Sequence, residues 1–122
     1  MSNQQQWLAV CDESDVLANI GVCAKVADKQ IAIFKVPVNS ENKLYAIDNL
    51  DPFSGSNVLS RGIVGDLKGR EVVASPIYKQ HFDLATGECL EEDITIPTYG
   101  IRVTNGKIEI AASNSQLKQL KK

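Results

Sequence analysis

Apolar residues alternate with polar or small residues along several short stretches of the chain, as in β-strands that turn one face inward. The first stretch covers residues 20–27, where every second residue is Ile, Val or Ala. Residues 30–38 are rich in β-branched side chains, and Pro37 marks the end of that strand or a sheet edge. A turn at residues 40–42 precedes a third stretch at 44–48. Together these stretches predict a three-stranded antiparallel meander.

The middle of the chain lacks this alternation. Residues 49–69 contain Asp-Pro, Ser-Gly, Arg-Gly and Lys-Gly pairs, which are typical of turns. A loop of this length inside a small domain is usually functional or derived from a functional loop. A strand is predicted over residues 71–74, and a second loop separates it from a short strand at 82–84.

The clearest hairpin is predicted in the last quarter of the chain. Apolar residues alternate over 99–103 and again over 108–110, with Asn-Gly at 105–106 between them. Asn-Gly tolerates the positive φ angles of a type I′ turn, whose twist matches the flanking strands.

Helical signals are few. Residues 13–17 fit a single turn, and residues 113–122 fit either a solvated tail or a short serine-capped C-terminal helix. A chain of 122 residues has room for one domain of ordinary size, which we place at residues 1–122. The predicted fold class is all-β, as an antiparallel sandwich or barrel.

Charge and hydropathy exclude several classes of partner. Thirteen Lys and Arg against fifteen Asp and Glu give a net charge of −2, so no basic excess is available to neutralise a phosphate backbone. Apolar runs such as residues 8–11 and 31–34 are short, whereas a membrane helix needs about 20 apolar residues. The polar N-terminal sequence does not resemble a signal peptide. We expect a cytoplasmic protein that binds neither nucleic acid nor membrane.

Candidate catalytic and metal-binding residues are scarce. Cys11, Cys23 and Cys89 are too far from each other and from His81 in sequence to form a zinc motif, so we expect free thiols. Cys23 lies in an apolar stretch and is predicted to be a small core residue. The acidic run at residues 91–93 is expected to be a solvated strand entry, with a docking patch as the alternative. With a single histidine, no nucleophilic triad can be assigned, and we expect no catalytic residue on this chain.

The two loops resemble those of a known family. Residues 44–55, continued by Leu-Ser-Arg-Gly, resemble the first cluster loop of Rieske iron–sulfur domains. Residues 72–88 resemble the second cluster loop with its strand and turn, most specifically in the segment Phe-Asp-Leu-Ala-Thr-Gly-Glu. Residues 96–103 also look Rieske-like. The resemblance implies a Rieske-like antiparallel sandwich or barrel with a small, loop-rich former cluster-binding subdomain at about residues 49–82.

The ligand positions depart from this family. A Rieske cluster is held by two cysteines and two histidines, as Cys-x-His in the first loop and Cys-x-x-His in the second. The resemblance places Asp51, Phe53, Ser75 and Tyr78 at these positions. Aromatic rings offer no nitrogen, and hard oxygen donors suit a sulfide-bridged iron pair poorly. We therefore predict no cluster and no metal, with Phe53, Tyr78 and Ile77 filling the gap between the loops.

A Rieske scaffold without its four ligands is similar to the family of small subunits of assimilatory NAD(P)H-dependent nitrite reductase. The resemblance implies a non-catalytic subunit of an oxidoreductase. Its partner would be a large subunit that carries FAD, a [4Fe–4S] cluster and sirohaem and reduces nitrite to ammonium. A Rieske-scaffold interaction module, or a ferredoxin-like component of another redox complex, remains the alternative. The loop tips at residues 51–57 and 75–81 are candidate docking surfaces, unless they are simply repacked loops.

Overall fold

The computed structural model describes residues 5–26 and 28–113, which form antiparallel sheets with two short 3₁₀ turns, Glu13–Asp15 and Leu59–Arg61. No helix within these ranges is long and apolar enough to cross a membrane. The strands are β1 (Gln5–Asp12), β2 (Val22–Val26), β3 (Lys29–Val38), β4 (Glu41–Asp48), β5 (Leu50–Asp51), β6 (Ser56–Asn57), β7 (Ile63–Leu67), β8 (Arg70–Ala74), β9 (His81–Asp83), β10 (Thr98–Tyr99), β11 (Ile101–Thr104) and β12 (Lys107–Ser113).

A central sheet with the order β10-β4-β3-β2 separates the other layers. One of its faces packs on the sheet β1-β12-β11 through a cluster that includes Ile33 and Ile110. The other face packs on the sheet β7-β8-β9 and the adjoining loops through a cluster that includes Phe34, Leu59 and Phe82. The small ribbon β5-β6 lies in the first of these loops. The predicted all-β class is confirmed.

Strand β3 is buried on both faces. Ile31 and Ile33 belong to the cluster facing β12, whereas Ala32, Phe34 and Val36 belong to the cluster facing β8 and β9. A strand covered on both sides needs a continuous apolar run instead of an alternating one. This requirement explains why residues 31–34 are all apolar and all buried.

The predicted meander β2-β3-β4 and the hairpin β11-β12 are confirmed. Asn105 and Gly106 have φ angles of 52° and 78°, as a type I′ turn requires. The turn predicted at residues 40–42 was misplaced. Asn39 and Ser40 have positive φ angles and make the turn, while β4 begins at Glu41.

Strand β7 was missed by the sequence prediction, which assigned all of residues 49–69 to a loop. It is an edge strand of its sheet, and Ile63, Gly65 and Asp66 are exposed, so it lacks a regular apolar face. The helical turn predicted at residues 13–17 is shorter, covering Glu13–Asp15. Ser113 ends β12, and the tail or helix predicted beyond it lies outside the described residues.

The prediction that Cys23 is a core residue was wrong. Cys23 lies on β2, which forms an edge of the central sheet, and its side chain is exposed. The inward positions of that strand are Val22, Ala24 and Val26 instead. Cys23 donates to Gln30 Oε1 at 3.3 Å. Burial raises the pKa of the Cys23 thiol, although the hydrogen bond from Asn49 opposes this shift.

Candidate functional site

The first loop, residues 49–62, is fixed to the central sheet by Asn49. The side-chain oxygen of Asn49 accepts the backbone N–H of Ser60 at 2.6 Å, and its Nδ2 donates to Gln30 Oε1 at 3.2 Å. The Asn49 carbonyl accepts the N–H of Leu59 at 3.1 Å. Asn49 is buried, so these bonds satisfy it inside the protein. The sequence alone does not indicate this role, because an asparagine in a polar stretch is typical of an exposed turn.

The second loop, residues 75–80, is closed by hydrogen bonds around one serine. The N–H of Ser75 donates to the carbonyl of Gln80 at 2.9 Å, and the N–H of Lys79 donates to the Ser75 carbonyl at 3.1 Å. The N–H of Ile77 donates to Ser75 Oγ at 3.3 Å. The loop therefore has a defined shape set by its own backbone.

A buried hydrogen bond joins the two loops. Ser75 Oγ donates to Asp51 Oδ2 at 2.5 Å, and neither residue has any exposed surface. The other carboxylate oxygen, Oδ1, accepts the N–H of Phe53 at 2.9 Å. Both oxygens of Asp51 thus have hydrogen-bond partners, as a buried polar group requires. Two of the four positions that resemble Rieske ligands are therefore brought together, but they are hydrogen-bonded to each other.

The other two positions, Phe53 and Tyr78, differ in their surroundings. Phe53 is partly buried against the core, with its ring centroid 6.2 Å from that of Phe82 and the planes tilted by 36°. Tyr78 is 57% exposed and Ile77 is 42% exposed. The prediction that all three side chains fill the gap between the loops is wrong for Tyr78 and Ile77, which are exposed, whereas Phe53 packs against Phe82 of the core. The side chains that meet between the loops are those of Asp51 and Ser75, which are hydrogen-bonded to each other.

These placements predict different stability effects for the two rings. We expect Phe53→Ala to lower the free energy of unfolding by about 1–3 kcal/mol, less than the ~3–5 kcal/mol of a fully buried ring. Tyr78→Ala should change it by no more than about 0.5 kcal/mol, because most of that ring is already in water. Urea unfolding of both variants measures the difference. Equal losses in the two variants would contradict the placement.

The motif Phe-Asp-Leu-Ala-Thr-Gly-Glu forms a turn organised by Asp83. Asp83 Oδ1 accepts the N–H groups of Ala85 and Thr86 at 2.7 and 2.9 Å, and Oδ2 accepts Arg70 Nε at 2.6 Å. Arg70 also donates to Glu88 Oε1 at 2.6 Å. Burial raises the pKa of the Asp83 carboxyl, but the hydrogen bonds from Arg70 and the two backbone groups outweigh it and lower the net value. This motif is therefore explained by the hydrogen bonds of a turn that it forms.

His81 has a structural partner. Its Nδ1 lies 2.6 Å from Glu91 Oε2, and its backbone N–H donates to Glu91 Oε1 at 2.8 Å. These contacts tie the acidic run to β9. Burial raises the pKa of the Glu91 carboxyl, but the bonds from His81 outweigh it and lower the net value.

The donor set between the loops does not fit a [2Fe–2S] cluster. Rieske ligation requires two thiolates and two imidazoles. Asp51 and Ser75 are bound to each other, and the rings of Phe53 and Tyr78 have no nitrogen. Within residues 5–26 and 28–113, no three His, Cys, Asp or Glu side chains are grouped as metal ligands.

Comparison with known proteins places the chain in a family. Residues 6–111 match the model of the Rieske-like [2Fe-2S] domain. The nitrite reductase (NADH) small subunit of Escherichia coli K12 is 42% identical over 106 residues, which are 86% of this chain and 96% of that protein. A Klebsiella oxytoca protein named nitrite reductase [NAD(P)H] large subunit is 38% identical over 112 residues, which are 91% of this chain but only 11% of that protein.

A solved structure supports the same placement. A Mycobacterium tuberculosis protein described as an NADH-dependent nitrite reductase small subunit superposes with a TM-score of 0.82 at 40% identity, covering 89% of this chain and 96% of that one. Sequence and fold therefore agree over most of the chain. The chain belongs to the Rieske-like domain family, among the small subunits of NADH-dependent nitrite reductase.

Proposed function

We propose that this chain is a non-catalytic, cluster-free subunit of a cytoplasmic NAD(P)H-dependent nitrite reductase that serves nitrate assimilation. The buried Asp51–Ser75 hydrogen bond carries the proposal. It links the two loops through Asp51 and Ser75. The resemblance places one cluster ligand of each loop at these two positions. A scaffold that keeps its loops closed in this way does not need iron to fold.

The partner in this proposal is the nitrite reductase large subunit. Support comes from the Klebsiella oxytoca protein, in which a segment similar to this chain is part of a polypeptide named as a large subunit. When the small-subunit-like segment and the large subunit are one polypeptide, they are present in a 1:1 ratio and stay close together. We infer one copy of this chain for each large subunit.

The cofactors of the proposed complex belong to the large subunit. The resemblance implies FAD, a [4Fe–4S] cluster and sirohaem there, with nitrite reduced to ammonium. We propose that Asp51, Phe53, Ser75 and Tyr78 are the degenerate cluster positions of a single domain, residues 1–122, whose former cluster-binding part covers about residues 49–82. This chain then acts by shaping or stabilising its partner, without holding an electron carrier.

We expect the purified chain to lack the visible absorption of a [2Fe–2S] centre. Chelator treatment should leave its thermal unfolding unchanged, because side-chain hydrogen bonds hold the loops. Iron and acid-labile sulfide assays and EPR of the dithionite-treated protein provide the measurement. Iron and sulfide near two per chain, with a reduced two-iron EPR signal, would contradict the proposal.

Reconstitution tests the subunit assignment. The large subunit is purified alone and with one equivalent of this chain, and complex mass and NADH-dependent nitrite reduction are measured. We expect a complex and a higher rate or longer-lived activity when both chains are present. The assignment is wrong if this chain changes neither the mass of the large subunit nor its activity.

A further inference from the structure

One end of the domain carries exposed apolar side chains on a rigid support. Ile63 on the edge strand β7 is 75% exposed, and it lies opposite Ala74, directly before the second loop. That loop carries Ile77 and Tyr78, which are 42% and 57% exposed. Together we call these three residues the apolar face. Scattered exposed apolar residues are ordinary, but a group on adjoining segments indicates an interaction site.

The support of the apolar face is fixed before any partner binds. The backbone bonds around Ser75 close the second loop, and the Asp51–Ser75 hydrogen bond joins it to the first loop. Ile77 and Tyr78 are exposed on this closed loop. A preorganised surface loses little conformational entropy on binding.

The segments at residues 49–65 and 74–81, which include the apolar face, carry a positive net charge, although the whole chain has a net charge of −2. Residues 49–65 and 74–81 contain one carboxylate, Asp51, and it is buried. Arg61 and Lys79 are exposed in these segments, and neither forms an ion pair with any residue that the structure describes. Glu91, which reaches the border of this region at His81, is engaged by that histidine.

We propose that the apolar face, with Arg61 and Lys79 at its rim, is the surface that docks the nitrite reductase large subunit. The inference rests on the proposed function for the identity of the partner. It assigns the partner an apolar patch bordered by carboxylates, because an apolar centre with a charged rim is the usual anatomy of such interfaces. Asp51 takes no part in the contact, since it is buried and serves the link between the loops.

Binding of purified large subunit by surface plasmon resonance tests the apolar centre. The triple variant Ile63→Ser, Ile77→Ser, Tyr78→Ser should raise the dissociation constant at least about 100-fold, because several central side chains of an interface are lost at once. Val103→Ser is the matched control, because Val103 is also an exposed β-branched residue on an edge strand, at 44% exposure. It should bind like the unmodified chain.

Salt dependence tests the rim. Arg61→Glu with Lys79→Glu should slow association about tenfold or more at low ionic strength, with a smaller difference at 0.5 M NaCl, as expected for screened rim charges. Lys68→Glu, at the exposed turn before β8, is the control and should leave association nearly unchanged. Far-UV circular dichroism and thermal unfolding confirm that each variant is folded.

The outcomes separate the two proposals. If the unmodified chain binds and the triple variant binds equally well, the docking surface is wrong while the subunit assignment stands. If the unmodified chain does not bind, the proposed function fails and the docking surface with it. Self-association of the isolated chain that the triple variant abolishes would assign the apolar face to a second copy and overturn the inference.

Discussion

Asp51→Ala should lower the free energy of unfolding by about 2–6 kcal/mol, because two hydrogen bonds to a buried side chain are lost, at ~1–3 kcal/mol each. The substitution leaves Ser75 Oγ and the N–H of Phe53 without the carboxylate that both contact. A domain of this size is stable by only about 5–15 kcal/mol, so the loss is a large fraction of the total. Urea unfolding followed by circular dichroism measures it.

Related variants locate the cause in the Asp51–Ser75 hydrogen bond. Ser75→Ala should cost about 2–3 kcal/mol, since a buried carboxylate oxygen loses its donor. The double variant should cost less than the sum, with a coupling of about 1–3 kcal/mol. Asp51→Asn should recover most of the loss, because an amide can donate to Ser75 and accept from Phe53.

Ser54→Ala is the matched control for Ser75→Ala. Ser54 lies in the first loop, and its hydroxyl accepts the N–H of Ser56 at 3.2 Å in a partly buried position. Its loss should cost less than about 1 kcal/mol, because water can replace a partly exposed bond. If Ser54→Ala and Ser75→Ala destabilise equally, the two loops are not held by the buried hydrogen bond.

Gly87→Ala should lower the free energy of unfolding by about 2–5 kcal/mol, the sum of left-handed backbone strain and overpacking. Gly87 has a φ of +83°, and a Cβ there would lie 2.1 Å from the carbonyl oxygen of Ile96. That oxygen cannot move away freely, because the N–H of Ile96 donates to the Gly87 carbonyl at 2.9 Å.

A second glycine separates backbone strain from crowding. Gly106 has a φ of +78°, and nothing lies within 4 Å of the position that its Cβ would take. Gly106→Ala should therefore cost only the strain, about 1–2 kcal/mol. Thermal and urea unfolding of both variants give the comparison. Equal costs would mean that the contact with Ile96 relaxes without penalty.

Much of the fold was predictable from alternation and turn chemistry. The meander and the Asn-Gly hairpin depend on neighbouring residues, and local patterns record such contacts well. Strand β7 was missed because it forms a sheet edge with few buried positions, so its identity depends on pairing with β8. Cys23 was misplaced because its apolar neighbours were given more weight than the alternation of residues 20–27, which puts Cys23 on the face opposite Val22 and Ala24.

The sequence was enough to identify the residues of the candidate site, but not the contacts that they make. Resemblance identified Asp51, Phe53, Ser75 and Tyr78, but residue types alone suggested that the aromatic rings close the gap. The two small polar residues close it instead, because an aspartate and a serine at bonding distance satisfy each other without bulk. Such a pairing joins residues 24 positions apart, which no local pattern reveals.

The pairing of β1 with β12 has a consequence for how this domain can be built into longer proteins. Gln5 pairs with Ser113, so the two ends of the described chain lie next to each other. They lie in a sheet that the central sheet separates from the two loops. The domain can therefore be joined to another polypeptide at either end, or inserted into a loop of another protein. In each case the two loops on the other side of the central sheet stay uncovered. A tether or purification tag placed at that junction should leave the loops free to function.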